Sequence, residues 1–240
     1  MKDNLEQIKT NAKFLLNVEP KQMDHIPFLI SHPYISHSPE YYSDNGELKT
    51  FDPLTDQEEL KNYKKYMLKQ IESKNNFLSI AYLINKPFRL FFFEMCSSLL
   101  NEEDYSIALK DLWISSEFPN YMDSANFLKK FNIANRKYLM TEEENKYYNS
   151  LPNVVTIYRG IDVSKNIKAL SWTNNYDMAF WFATRFSSEG YVFETKVNKE
   201  NIIAYFNQRG EDELIIDFTK IKDVKCEKVL KKEHEFDLEM

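Results

Sequence analysis

Glycine is scarce, with only four residues in 240. That is too few for the many tight turns of an all-β sandwich, so the expected class is α+β and rich in helix. Two cysteines, Cys96 and Cys226, offer no metal-ligand spacing and no disulfide framework, which points to a reducing compartment and a cytoplasmic protein. Arginine is rare beside lysine, five residues against 26. Each retained arginine is therefore a candidate for work that lysine does poorly, such as gripping phosphate or carboxylate with two donors. No long apolar run exists either: the richest stretch, 78–100, is interrupted by Lys86, Pro87, Arg89 and Glu94. It does not read as a membrane span, and the chain start carries no apolar signal core. The net charge is −6, with 18 basic against 22 acidic residues up to position 150 and 13 against 15 beyond it. A general basic field that holds nucleic acid is excluded; a local basic patch is not.

What is present is core-forming material, 43% hydrophobic and 15% aromatic. That suits one large or two small globular domains. The first 150 residues read as helical. Leu5, Ile8, Ala12, Leu15 and Leu16 recur at spacings of three and four, one face of a helix over 5–18. Residues 20–55 hold much of the proline and three of the four histidines; they read as an ordered loop. Thr55 with Glu58 predicts the capped start of a helix reaching Ser73. A short buried helix follows over 77–85, then one with Pro87 in its first turn running to about Leu100. Asn101 with Glu103 and Asp104 opens another that stops before Pro119, Asp123 opens the next, and Thr141 with Glu144 forms a capping box. His25, His32 and His37 match no ligand spacing and read as loop histidines, so no metal is expected.

The character changes at Leu151-Pro152-Asn153. Beyond it Val154 to Tyr158 is β-branched and aromatic, a strand signature, and the expected division is a helical region over 1–150 and a sheet-bearing one over 151–240. Four pieces then follow in order: Tyr158-Arg159-Gly160 ending a strand; Ser171-Trp172-Thr173 opening a second, with a helix from about Tyr176 to Phe186; a strand over 190–197; and Ile202 to Tyr205 leading through the loop Phe206-Asn207-Gln208-Arg209-Gly210 to Glu211-Asp212-Glu213 and the strand Leu214 to Ile216. Lys220, Lys222, Lys225, Lys228, Lys231 and Lys232 read as a solvated face, the alternative being a nucleic-acid contact.

Taken together these pieces resemble the R-S-E class of cholera-toxin-like mono-ADP-ribosyltransferases, over roughly residues 154–230, and the helix over 177–183 resembles bacterial and phage members. Two departures stand out. Only 11 residues separate Arg159 from Ser171, and Ser-Trp-Thr replaces Ser-Thr-Ser, which leaves Ser171 and Thr173 competing as the key hydroxyl. The resemblance implies a small split-sheet catalytic core that uses NAD as co-substrate. In it Arg159 binds the NAD phosphates, and Gly160, Tyr158 and Thr173 border the cofactor. Trp172, Trp181 or Phe182 stacks on a ring, Ser171 holds the arrangement, and Glu213 serves the ribose while Glu211 serves the acceptor. Phe206, Asn207, Gln208 and Arg209 form the substrate-recognition turn. The acceptor stays open between protein arginine and a nucleic-acid base. The same resemblance implies a toxin-like or phage-related effector held in check by an antitoxin or inhibitor protein; an NAD glycohydrolase and a non-catalytic interaction module are the alternatives. No glycine-rich dinucleotide fingerprint is present, which excludes a Rossmann domain rather than NAD.

Overall fold

A computed structural model describes residues 4–115, 123–162 and 168–231. The chain mixes helix and strand, as expected, and divides into two compact units, Met1–Phe118 and Pro119–Met240. The division falls well before residue 150, so helices read as part of an amino-terminal region belong with the sheet.

In the first unit α1 (Leu5–Leu16) starts where the Asn4 side chain accepts the Gln7 N–H, and the expected stripe Ile8, Ala12, Leu15 and Leu16 is buried. Residues 20–55 are not a plain loop. They form two antiparallel hairpins, β1 (Lys21–Met23) with β2 (Ile26–Ser31) and β3 (Glu40–Asp44) with β4 (Glu47–Phe51). The β3–β4 turn is Asn45-Gly46 with both residues at positive φ, 52° and 84°, the two-residue geometry whose twist matches a hairpin. Helix α2 (Gln57–Ser73) is capped by Asp56, whose carboxylate accepts the Glu59 N–H, rather than by Thr55. Then come α3 (Phe77–Ala81), α4 (Arg89–Cys96) and α5 (Glu102–Ser115). The expected helix to Leu100 is an α-helix framed by 3₁₀ turns over 86–88 and 97–99; where α5 meets Pro119 lies outside the described residues.

His32 is one of the ties that hold this unit. It is fully buried; its Nδ1 accepts the Tyr34 N–H at 3.0 Å and its Nε2 lies 2.9 Å from the Val18 carbonyl, which calls for the neutral ring with the proton on Nε2. Burial lowers its pKa from 6.5 to about 4. The unfolded chain therefore takes up a proton between those values while the folded chain does not, so stability is complete above pH 6.5 and falls as pH drops towards 4. The loss at the acid end is about 3 kcal/mol. Urea unfolding at pH 7 and pH 4.5 should record the decline, and His32→Asn should flatten it.

The second unit runs α6 (Ser124–Ile133), α7 (Arg136–Leu139), α8 (Glu142–Ser150), β5 (Val154–Ile161), β6 (Ser171–Thr173), α9 (Tyr176–Thr184), β7 (Glu189–Asn198), β8 (Ile202–Phe206), β9 (Glu213–Ile216) and β10 (Lys225–Leu230). Asp123 caps α6, and the Thr141–Glu144 capping box is formed. The six strands order as β10-β7-β5-β6-β9-β8, every pairing antiparallel. β5 pairs with β7 over eight residues but with β6 through one rung, Tyr158 opposite Thr173. Two three-stranded halves thus meet at a single point. Helices α7 and α8 lock onto the second half: Arg136 donates from Nε and Nη2 to the Ile203 and Ile202 carbonyls and from Nη1 to the Tyr148 hydroxyl. Those bonds are the physical reason that 123–150 folds with the sheet.

Helix α9 lies across β5 and β7, which requires two glycines. A Cβ on Gly160 would sit 1.7 Å from the Ala179 carbonyl oxygen, and one on Gly190 would sit 2.0 Å from that of Ala183.

Candidate functional site

Arg159 stands one residue beyond the single rung. Tyr158 and Gly160 face α9, while the Arg159 side chain reaches toward β6. Its Nη1 donates to the Ser171 carbonyl at 2.6 Å, across the gap where β5 and β6 diverge. Its Nε is buried and has no hydrogen-bond partner among the described residues. Burial lowers the guanidinium pKa to about 10, and the charge of Glu213 opposes the fall. The group stays cationic at neutral pH, with a donor left over for an anion. A buried donor without a partner costs about 1–3 kcal/mol.

Glu213 opens β9 opposite Thr173, and Ser171 lies two residues along the same ladder, opposite Ile215. Ser171, Thr173 and Glu213 therefore share one face. The Thr173 hydroxyl is occupied: it accepts the Asn175 N–H at 3.1 Å beside the start of α9. The Ser171 hydroxyl forms no hydrogen bond among the described residues, which separates two candidates that sequence left level. Glu213 is 4% exposed. Arg209 reaches back over both acidic residues, its Nη2 2.7 Å from Glu211 and 3.7 Å from Glu213. The guanidinium offsets the repulsion between the two carboxylates.

The residue between them pins the loop. Asp212 takes the left-handed conformation, φ 47°, accepts the Tyr205 hydroxyl at 2.7 Å and the Asn175 side-chain amide at 3.3 Å, and donates its own N–H to Asn207 Oδ1. Asn207 in turn donates its N–H to Glu144 Oε1 at 3.0 Å. One oxygen of the α8 capping box thus caps its helix while the other anchors the loop between β8 and β9. Tyr147 of α8 stacks on Tyr205 with ring centroids 4.2 Å apart. Sequence reasoning identified Glu144 only as a cap and passed over Tyr147, Asn175, Tyr205 and Asp212 as functional supports. Their partners lie up to 63 residues away, and no local pattern encodes such a distance.

The remaining expected positions divide. Asn207, Gln208 and Arg209 are exposed on the loop, but Phe206 is 2% exposed and packs near Phe131, so it belongs to the core rather than to a recognition turn. Trp172 is 2% exposed and donates its indole N–H to the Ala169 carbonyl; it is a core side chain, not a stacking surface. Trp181 is 52% exposed and Phe182 half-buried, their rings 4.9 Å apart, with the Arg185 guanidinium over both. Tyr158 faces α9, where it meets Tyr176 edge to face. Gly160, expected to border the cofactor, has the space beside its Cα filled by the backbone of α9.

Among the described residues no group of three or more His, Cys, Asp or Glu side chains is placed to hold a metal ion, and no helix is long and apolar enough to cross a membrane. No protein-family model, no curated protein and no solved structure matches the chain.

Proposed function

We propose that the unit over 119–240 is the catalytic core of an NAD-dependent mono-ADP-ribosyltransferase that modifies a macromolecular acceptor. One observation carries the reading: Arg159, Ser171 and Glu213, 54 positions apart in the chain from first to last, gather around the single rung where the two half-sheets meet. The buried, partnerless Nε of Arg159 suits a phosphate of the dinucleotide.

Cleavage of the bond between ribose C1′ and the nicotinamide nitrogen builds positive charge on the sugar while the pyridine leaves neutral. A fixed carboxylate beside the ribose is worth most in that transition state. Glu213 has the required placement: buried, held at a strand start, and without the freedom of a loop residue. The open Ser171 hydroxyl on the same face is available to the ribose. Glu211, the less buried of the pair, takes the proton from the attacking acceptor. A toxin-like or phage-related role restrained by a partner protein follows from that activity.

The test is incubation of the purified chain with labelled NAD and cell lysate. Label in macromolecules together with free nicotinamide supports transfer; nicotinamide without label supports a glycohydrolase; neither product supports a non-catalytic module. Glu211→Gln should lower label transfer by about a hundredfold, the usual worth of a proton acceptor, while nicotinamide release falls much less. Equal losses in both would remove Glu211 from the acceptor step.

A further inference from the structure

Outside this cluster a surface concavity of about 750 Å³ opens where β7 ends and the chain enters β10. Lys196, Lys220, Lys222 and Lys225 line it, with the polar side chains of Asn198 and Thr219. Only two carboxylates join them, Glu194 and Asp223, and Glu194 lies 3.7 Å from Lys225. Lys196, Lys220 and Lys222 are exposed and form no ion pair among the described residues.

Lysines on an edge strand commonly serve to block sheet-to-sheet pairing, and β10 is such a strand. That reading covers Lys225 but not the others: Lys196 stands on β7, an inner strand, and Lys220 and Lys222 precede β10. Their segment is held in place. The buried Thr195 hydroxyl donates to the Lys222 carbonyl at 2.6 Å, the Asp217 N–H donates to the Asn201 carbonyl, and Asp217 accepts the Thr219 N–H. Four lysines against two carboxylates leave a local net charge of +2 on a fixed frame, in a chain of net charge −6, and mark a concentrated site for a polyanion.

We propose that this concavity binds the phosphodiester backbone of single-stranded nucleic acid, and, resting on the transferase reading above, that it delivers the acceptor base. Register places Glu194 at its rim in one row with Tyr158, Thr173 and Glu213, three strand spacings or about 14 Å along the sheet from the acidic pair. A chain anchored there spans that distance within a few nucleotides. A buried carboxylate is out of reach for a base stacked in a duplex, which is why a single strand fits.

Binding is measured by fluorescence anisotropy of labelled 12-nucleotide RNA and DNA single strands and a DNA duplex, using the full chain and no NAD. The single strands should bind with a log K against log salt slope near −2, about 0.7 for each of three phosphates. Lys196→Gln, Lys220→Gln and Lys222→Gln combined should weaken binding about tenfold or more and flatten the slope, whereas the same charge change at Lys61, Lys65 and Lys69 should not. Preference between the RNA and DNA arms identifies the source of the backbone. Absence of binding, equal loss in the control triple, equal duplex affinity, or displacement by polyglutamate at equal charge overturns the proposal, the last two without need of any variant. Nicotinamide release is followed separately: if it persists while binding fails, the concavity is wrong and the enzyme reading stands; if binding persists without release, the reverse holds.

Discussion

Glu213→Gln should lower nicotinamide release from NAD by about a hundredfold to a thousandfold, the range seen when one charge-stabilising group is lost from a preorganised site. Glutamine keeps the shape and a carbonyl acceptor for Arg209 but removes the charge. Glu213→Asp keeps the charge and withdraws it by one methylene, so it should fall between the two. That order, wild type above Asp above Gln, separates an electrostatic role from a structural one. The comparison is made at matched far-ultraviolet circular dichroism, because Glu213 also offsets the burial of Arg159. Release by Glu213→Gln at the wild-type rate would remove this carboxylate, and with it the proposed chemistry.

Gly160→Ala should cost about 3 kcal/mol or more, the upper range for forcing atoms into a packed interior. The added Cβ meets backbone on the far side: the Ala179 carbonyl oxygen at 1.7 Å, its carbon at 2.7 Å and the Ala183 nitrogen at 2.7 Å. No rotamer change relieves such a clash, so α9 must lift from β5. Arg159 is the next residue, and its bond to Ser171 should be disturbed with it. Gly210→Ala is the control. Gly210 lies in open space at φ +70°, so alanine there meets only the left-handed penalty of about 1–2 kcal/mol. Urea midpoints at unchanged slope measure both. Equal losses would mean that close approach of helix and strand is not why β5 carries a glycine.

Much of the site could be read in order along the chain because its local signals are strong. Val154 to Tyr158 is a strand by composition, Asn175 and Thr173 set up the start of α9 by short-range hydrogen bonds, and the apolar run behind Glu213 makes β9. The hairpins of 20–55 were legible in one place, Asn45-Gly46, but the prolines around them obscured the strands. What fills the space beside Gly160 was not legible, since a sequence cannot reveal which helix will cover a strand. Trp172 and Phe206 illustrate the same limit: an aromatic residue beside a motif looks like a binding platform until the fold shows which way alternation turns it.

By itself the sequence determined most element types between 123 and 216, the order of Arg159, Ser171 and Glu213, and the excess of lysine near the carboxy terminus. These depend on interactions spanning a few residues, and caps, periodicity and branched side chains express them directly. Only the tertiary structure decided that β5 and β6 share one rung, that Thr173 is occupied while Ser171 is open, that Glu144 anchors the loop of Arg209, and that three lysines from two segments meet in one concavity. Each of those is a pairing across tens of residues, selected by how strands register and helices pack, and chain entropy leaves such pairings unspecified until the whole unit closes.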